Sequence, residues 1–249
     1  MYVAASTDCF PDLNLADTVD RLVDLEYTNV DVILDENSET LSPDAIHSNL
    51  DAAIQTCRNT RRLDIVTFDV RISGFDPVSL AKFASVCKLA KATKVVTLTV
   101  PSGELGTPFN EEVERLAQLV EIAGTEGVRV GVKTQIGRLS EDPDTVMVLC
   151  NNVDGLGVTL DPSHYVCGPH AGRNYEKILK YVYHVHLRDT SRTELQVRIG
   201  QGEIEYGRLI NQLRKANYNR SLSVNISPME DVDHMSEMRK MRLLLESLL

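Results

Sequence analysis

Short runs of aliphatic and β-branched residues recur along the chain at 2–6, 30–34, 63–68, 95–100, 128–132, 156–160, 182–187 and 222–226. Their starts lie about 31 residues apart on average, the length of one strand–helix unit. The gaps carry apolar residues at helical spacing. Leu15, Val19, Leu22, Val23 and Leu25 mark a first helix behind Asp12 or Asn14. Ser42 before Pro43, and the pairs Asp76-Pro77 and Asp142-Pro143, open the second, third and fifth. Proline has no N–H to lose in a first turn, and the preceding side-chain oxygen accepts a free amide. Val113, Leu116, Ala117, Val120 and Ile122 mark the fourth helix, Tyr175, Ile178, Leu179 and Val182 the sixth, and Leu209, Ile210 and Leu213 the seventh. An eighth carries Met235, Met238, Met241, Leu244, Leu245 and Leu248.

Eight strands alternating with eight helices predict a single (βα)8 barrel over residues 1–249. An open doubly wound sheet would carry a glycine-rich phosphate turn after its first strand. Here that turn reads Asp8-Cys9-Phe10-Pro11-Asp12, without glycine.

Composition narrows the function. The 249 residues carry 26 Lys plus Arg against 36 Asp plus Glu, a net charge of −10. That balance argues against a nucleic-acid partner, which needs a basic surface. No run approaches the roughly 20 apolar residues of a membrane helix. The N-terminus has neither a basic segment nor a long apolar one, so no signal peptide is expected. Five cysteines without a CxxC pair read as reduced thiols in a cytoplasmic protein.

In a barrel of this kind, chemistry sits at the C-terminal ends of the strands. Those ends offer Asp31 and Asp35, Asp69 and Arg71, Lys133 and Gln135, Asp161 and His164, then His184, His186, Arg188 and Asp189, and finally Asn225. In Thr159-Leu160-Asp161-Pro162-Ser163-His164 an apolar strand ends in a carboxylate, with an imidazole three residues on. Both groups are ligands for a divalent metal; the plainer reading makes Asp161 a turn cap and His164 a surface residue. His184 and His186 alternate, so both project to one side of their strand. His47 and His234 fall on helix patterns and read as solvated, whereas His170 lies in a loop that could reach the mouth. The turn Pro101-Ser102-Gly103 has amides that could hold an anion or form an ordinary turn.

The segments Asp161-Pro-Ser-His164, His184-Val-His186-Leu-Arg-Asp189 and Gly200-Gln-Gly202-Glu-Ile-Glu-Tyr206 resemble the xylose isomerase-like TIM barrels. These are sugar phosphate isomerases and epimerases related in fold to endonuclease IV. The resemblance spans essentially the whole chain. It implies a divalent ion, often Mn²⁺ or Mg²⁺, held by a Glu on strand 5, an Asp on strand 6, a His on strand 7 and a Glu on strand 8. Residue by residue, Asp161 and His186 match the metal ligands, His164 a substrate-binding histidine and Arg192 a substrate-contacting arginine.

The two glutamates do not carry over. Their places fall on Lys133 and Asn225, and in epimerases they are also the acid–base pair. A unit charge at ~4 Å in an effective dielectric of ~20 is worth about 4 kcal/mol, and a dication beside an ammonium faces about twice that. The expectation is a degenerate site without a resident cofactor, or failing that one Mn²⁺, Mg²⁺ or Zn²⁺, with Lys133 filling the metal's place and pairing with Asp161. A second reading of Lys133 is an amine that forms a Schiff base. Lys133, Asp161 and His164 are then the catalytic candidates, and His164, His186, Arg192 and Asn225 the substrate-binding ones. The expected activity is isomerase- or epimerase-like chemistry on a small sugar, polyol or keto acid. A non-catalytic binding protein on the same barrel is the alternative. A metal-dependent nuclease does not suit the acidic charge. No membrane partner is expected, and a homodimer is among the assemblies the resemblance allows.

Overall fold

The computed structural model describes residues 1–38, 41–72 and 74–249. Eight parallel strands close in sequence order: β1 (Tyr2–Ser6), β2 (Asn29–Asp35), β3 (Asp64–Arg71), β4 (Thr97–Pro101), β5 (Arg129–Lys133), β6 (Gly157–Leu160), β7 (Val182–Leu187) and β8 (Ser221–Val224). β8 pairs back onto β1, with Tyr2 opposite Ser221 and Ala5 opposite Val224.

The helices are α1 (Leu15–Asp24), α2 (Pro43–Ser48), α3 (Leu50–Arg58), α4 (Pro77–Ala92), α5 (Phe109–Thr125), α6 (Pro143–Asn152), the one-turn α7 (Ser163–Val166), α8 (Tyr206–Lys215) and α9 (His234–Glu246). The expected caps form. Asn14, Ser42, Asp76 and Asp142 each accept from an amide in the first turn of α1, α2, α4 and α6. Two spans differ from the sequence reading. The β2–β3 connection holds two helices, because Asn49 leaves helical geometry after α2 and its side chain caps α3 through Ala52 N at 3.1 Å. The expected sixth helix is a 3-10 turn at Glu176–Tyr181.

The barrel carries its apolar surface on the outside of the sheet. Val30, Val32, Leu34, Phe68, Val70, Leu98, Val100, Val130, Val132, Val158, Leu160, Val185, Leu187, Leu222 and Val224 are buried in one apolar cluster with α-helical residues such as Leu22, Phe83, Leu116, Leu149 and Met241. Each such side chain contributes roughly 1.5–3 kcal/mol when fully buried. Strand alternation then sends the intervening residues into the lumen, and many of these are polar, among them Asp31, Thr67, Asp69, Thr99, Lys133, Thr159, His184, His186 and Ser223. Contacts across the barrel establish it: Thr99 Oγ1 meets Thr159 Oγ1 at 2.7 Å, and Ser223 Oγ donates to Asp31 at 3.3 Å. The layers of Val, Ile and Leu usual inside such barrels are replaced here by hydroxyls, imidazoles and charges.

The candidate active site

Two sets of lumenal groups lie along the barrel axis. The inner set is Asp31 on β2 with His184 and His186 on β7, all sealed from solvent. Asp31 Oδ2 lies 2.6 Å from His186 Nε2 and 3.2 Å from His184 Nε2. The opposite ring nitrogens are also engaged: His184 Nδ1 with Ser221 Oγ, and His186 Nδ1 with the Asn225 amide, each at 3.2 Å. Burial pushes the Asp31 carboxyl up, but the His186 charge and hydrogen bonds from both imidazoles outweigh it and hold the group below the usual carboxylate range. Burial also lowers His184. The alternation seen in the sequence thus turns both histidines inward, onto a β2 carboxylate.

The outer set forms the floor of a mouth cavity of about 810 Å³. Asp69, Arg71, Lys133, Arg138, His164 and Arg188 are among its lining residues. Lys133 Nζ donates to Asp69 Oδ2 at 2.7 Å, and the two side chains are 11% and 2% exposed. Lys133 therefore pairs with β3, not with Asp161 as the sequence suggested. Asp161 is neutralised from β7 instead, where Arg188 Nη2 donates to its Oδ2 at 2.9 Å. Its Oδ1 accepts from both the amide and the hydroxyl of Ser163. Burial raises the Asp161 carboxyl, while Arg188, His164 and Ser163 together hold it below the ordinary range.

His164 follows Asp161 by one turn because α7 begins immediately after Pro162. Its Nδ1 accepts from Ile136 N at 3.2 Å, which leaves the proton of a neutral ring on Nε2. That nitrogen faces Asp161 Oδ2 at 3.5 Å. Burial lowers the imidazole's pKa, and the nearby charges of Arg188 and Lys133 act in the same direction. His164 is therefore a neutral N–H donor at the cavity floor.

Other expected residues lie elsewhere. Arg192 has an 80% exposed side chain paired with Glu203 at 3.1 Å, and it is not among the cavity's lining residues. Arg188 lines the cavity in its stead, because it follows His186 by two residues and shares its side of the strand. His234 is not solvated: its Nε2 lies 2.7 Å from Cys9 O, with its ring edge-on to Phe10. The Gly103 amide is taken by Glu112 Oε1 at 2.9 Å, so this turn is closed by the protein's own carboxylate. The glycine-rich segment after β7 has a structural reason. Asp189 Oδ2 accepts from Gly200 N at 2.7 Å and Gly202 N at 3.0 Å, fixing the loop beside the mouth.

The metal implied by the resemblance does not fit the groups present. Both Asp161 oxygens, both ring nitrogens of His186 and the Asn225 amide already meet protein partners, and an ammonium stands at the strand 5 position. Asp161 and His186, the expected ligand pair, are directed to different partners. Among the described residues, the carboxylate and imidazole atoms close enough to share an ion are those of Asp31, His184 and His186. They form a different and sealed set.

Closed parallel topology around a largely polar lumen defines a (βα)8 barrel. The chain belongs to the xylose isomerase-like TIM barrel family, whose profile it matches over residues 19–244. A D-tagatose 3-epimerase-like protein superposes with a TM-score of 0.76 at 18% identity, over 100% of this chain and 98% of that one. The IolI protein, solved with a zinc atom, superposes with a TM-score of 0.76 at 16% identity, over 100% of this chain and 99% of that one. An uncharacterized protein of Methanocaldococcus jannaschii, MJ1311, is 24% identical over 134 residues. That match spans 50% of this chain and 46% of the relative, about half of each. No helix among the described residues is long and apolar enough to cross a membrane.

Proposed function

We propose that the chain is an isomerase- or epimerase-type enzyme that moves a proton next to the carbonyl of a small sugar or keto acid, without a divalent ion at the family's metal position. The observation that carries this reading is the Lys133–Asp69 pair, 2.7 Å apart in the mouth cavity. A proton α to a carbonyl is lost only if the resulting oxyanion is stabilised. Lys133 supplies a positive charge for that purpose and His164 Nε2–H a hydrogen bond. Asp69, hydrogen-bonded to Lys133, is the carboxylate that exchanges the proton. Asp161 acts indirectly, by anchoring Arg188 and facing His164.

A binding protein without turnover is the competing reading, supported by the fact that Asp69 and Asp161 are already paired with cations. Proton NMR in D2O with EDTA separates the two. Ketoses, aldoses and α-keto acids are screened for exchange of their α-hydrogens. The enzyme reading expects exchange that persists in EDTA and falls at least about 100-fold in Lys133→Met and 10- to 100-fold in His164→Gln. Saturable ligand binding with no exchange for any compound refutes it in favour of the binding protein.

A further inference from the structure

We infer that Lys133 is a nucleophilic amine that captures a small aldehyde or ketone in the mouth cavity as an iminium. The inference deepens the reading above by naming the electron sink and the ligand class, and it takes from that reading only that the ligand has a carbonyl.

Three features carry it. Lys133 is the lysine among the residues lining the cavity, and it sits on the floor, where a ligand's reacting end would rest. Its Nζ is held by Asp69 Oδ2 at 2.7 Å, the distance needed to hand a proton over and take it back. Third, the conversion leaves the charge of the buried pair unchanged: ammonium and carboxylate become iminium and carboxylate. A buried ion pair resists reactions that neutralise one partner, and this reaction does not.

The step balances as follows. Asp69 takes one proton from the ammonium. The amine's lone pair forms the C–N bond as the carbonyl π electrons move to oxygen. Asp69 returns its proton to that oxygen and removes a second from nitrogen, giving a neutral carbinolamine. It then protonates the hydroxyl, which leaves as water while nitrogen's electron pair forms the C=N bond. Ammonium plus carbonyl thus gives iminium plus water, with Asp69 restored and no oxidant or reductant required. The iminium draws electrons from the adjacent carbon, the role the family's ion would otherwise serve. His164 lines the same cavity.

The test uses the full chain with EDTA, dihydroxyacetone or pyruvate as probe, and sodium cyanoborohydride, followed by intact mass and peptide mapping. The expected result is one saturable adduct on Lys133, formed at least about 10-fold faster than on any other lysine. Lys133→Arg, checked for folding by circular dichroism, is expected to lose that adduct and keep the slow background. Asp69→Asn keeps the amine but removes the proton carrier, and trapping at Lys133 slows by about 10-fold or more. The lysines of the unmutated protein serve as internal controls that need no variant. Adducts at Lys133 no faster than at the surface lysines overturn the inference. If α-hydrogen exchange occurs without trapping at Lys133, the inference falls and the proposed function stands. Trapping at Lys133 without exchange for any carbonyl leaves the amine assigned and overturns the isomerase reading.

Discussion

Removing the ammonium of Lys133 should destabilise the fold by an amount the geometry sets. At 2.7 Å and an effective dielectric of ~20, the Coulomb attraction to Asp69 is about 6 kcal/mol. Desolvation of both groups offsets much of this, and breaking one side of a buried pair typically costs about 3–5 kcal/mol. Two features favour the lower end: the pair borders a cavity, and the Arg71 charge also interacts with Asp69. Lys133→Met is therefore expected to cost about 3 kcal/mol, and Asp69→Asn a similar amount. In a chain of this length each kcal/mol moves the midpoint by about 2–4 °C, so each single variant melts roughly 6–12 °C lower. The double variant leaves no uncompensated charge. It should recover at least about 2 kcal/mol relative to the sum of the single losses. Urea unfolding followed by circular dichroism, with reversibility checked, measures all four species. Strict additivity would refute the pairing and place Lys133 away from Asp69.

Four further outcomes follow from particular contacts. His164 and His184 have pKa values lowered by burial, so the unfolded chain binds protons first as pH falls; stability is full above about pH 6.5 and declines toward pH 5. Asp31 and Asp161, held below the carboxylate range, add a second loss beneath about pH 4; a Tm that rises from pH 7 to pH 5 contradicts this, and His164→Gln should flatten the first decline. Gly202→Ala would drive a methyl into the Asp189 carboxylate and should cost about 3 kcal/mol, read by thermal melts, with no cost meaning that the loop is built otherwise. Cys9, Cys57, Cys87 and Cys150 are buried with thiols pushed up to about 12, so DTNB should titrate Cys167 quickly in native protein and all five only in urea. Dialysis against EDTA should leave Tm within about 1 °C, whereas a stoichiometric ion by ICP-MS whose loss lowers Tm would assign metal to Asp31, His184 and His186.

The barrel was legible because its two periodicities are strong: strand runs near every 31 residues, and caps such as Ser42-Pro43 and Asp142-Pro143 that declare their helices. The site was only half legible. Motif spacing located Asp161, His164 and the inward histidines, but not their partners. Cross-barrel pairs such as Lys133–Asp69 and Asp31–His186 join residues 64 and 155 positions apart, on strands that are not neighbours. Strand alternation held a further signal. In His184-Val-His186-Leu-Arg188 and in Thr67-Phe-Asp69-Val-Arg71, every second residue is polar and the residues between are buried against helices. Applied to all eight strands, that rule would have turned Arg188, Asp69 and Lys133 all toward the lumen, without pairing them. Arg192 was misplaced because residue spacing beyond a strand end says nothing about which way a loop turns.

Lys133, Asn225 and the two mouth ion pairs form one electrostatic arrangement. A carboxylate as buried as Asp161 cannot stand bare, since an unpaired charge in such a place costs several kcal/mol. In the pattern the resemblance implies, a divalent ion would satisfy that requirement. Here Arg188 satisfies it, from the position just after the strand that supplies His186. Arg188 and a metal would compete for the same lone pairs of Asp161 Oδ2, and the Lys133 ammonium would repel the ion. Asn225 completes the exclusion, because its amide meets His186 Nδ1, the nitrogen left after Nε2 turns to Asp31. The mouth cavity keeps a positive charge on Lys133, a side chain whose amine can form a covalent bond.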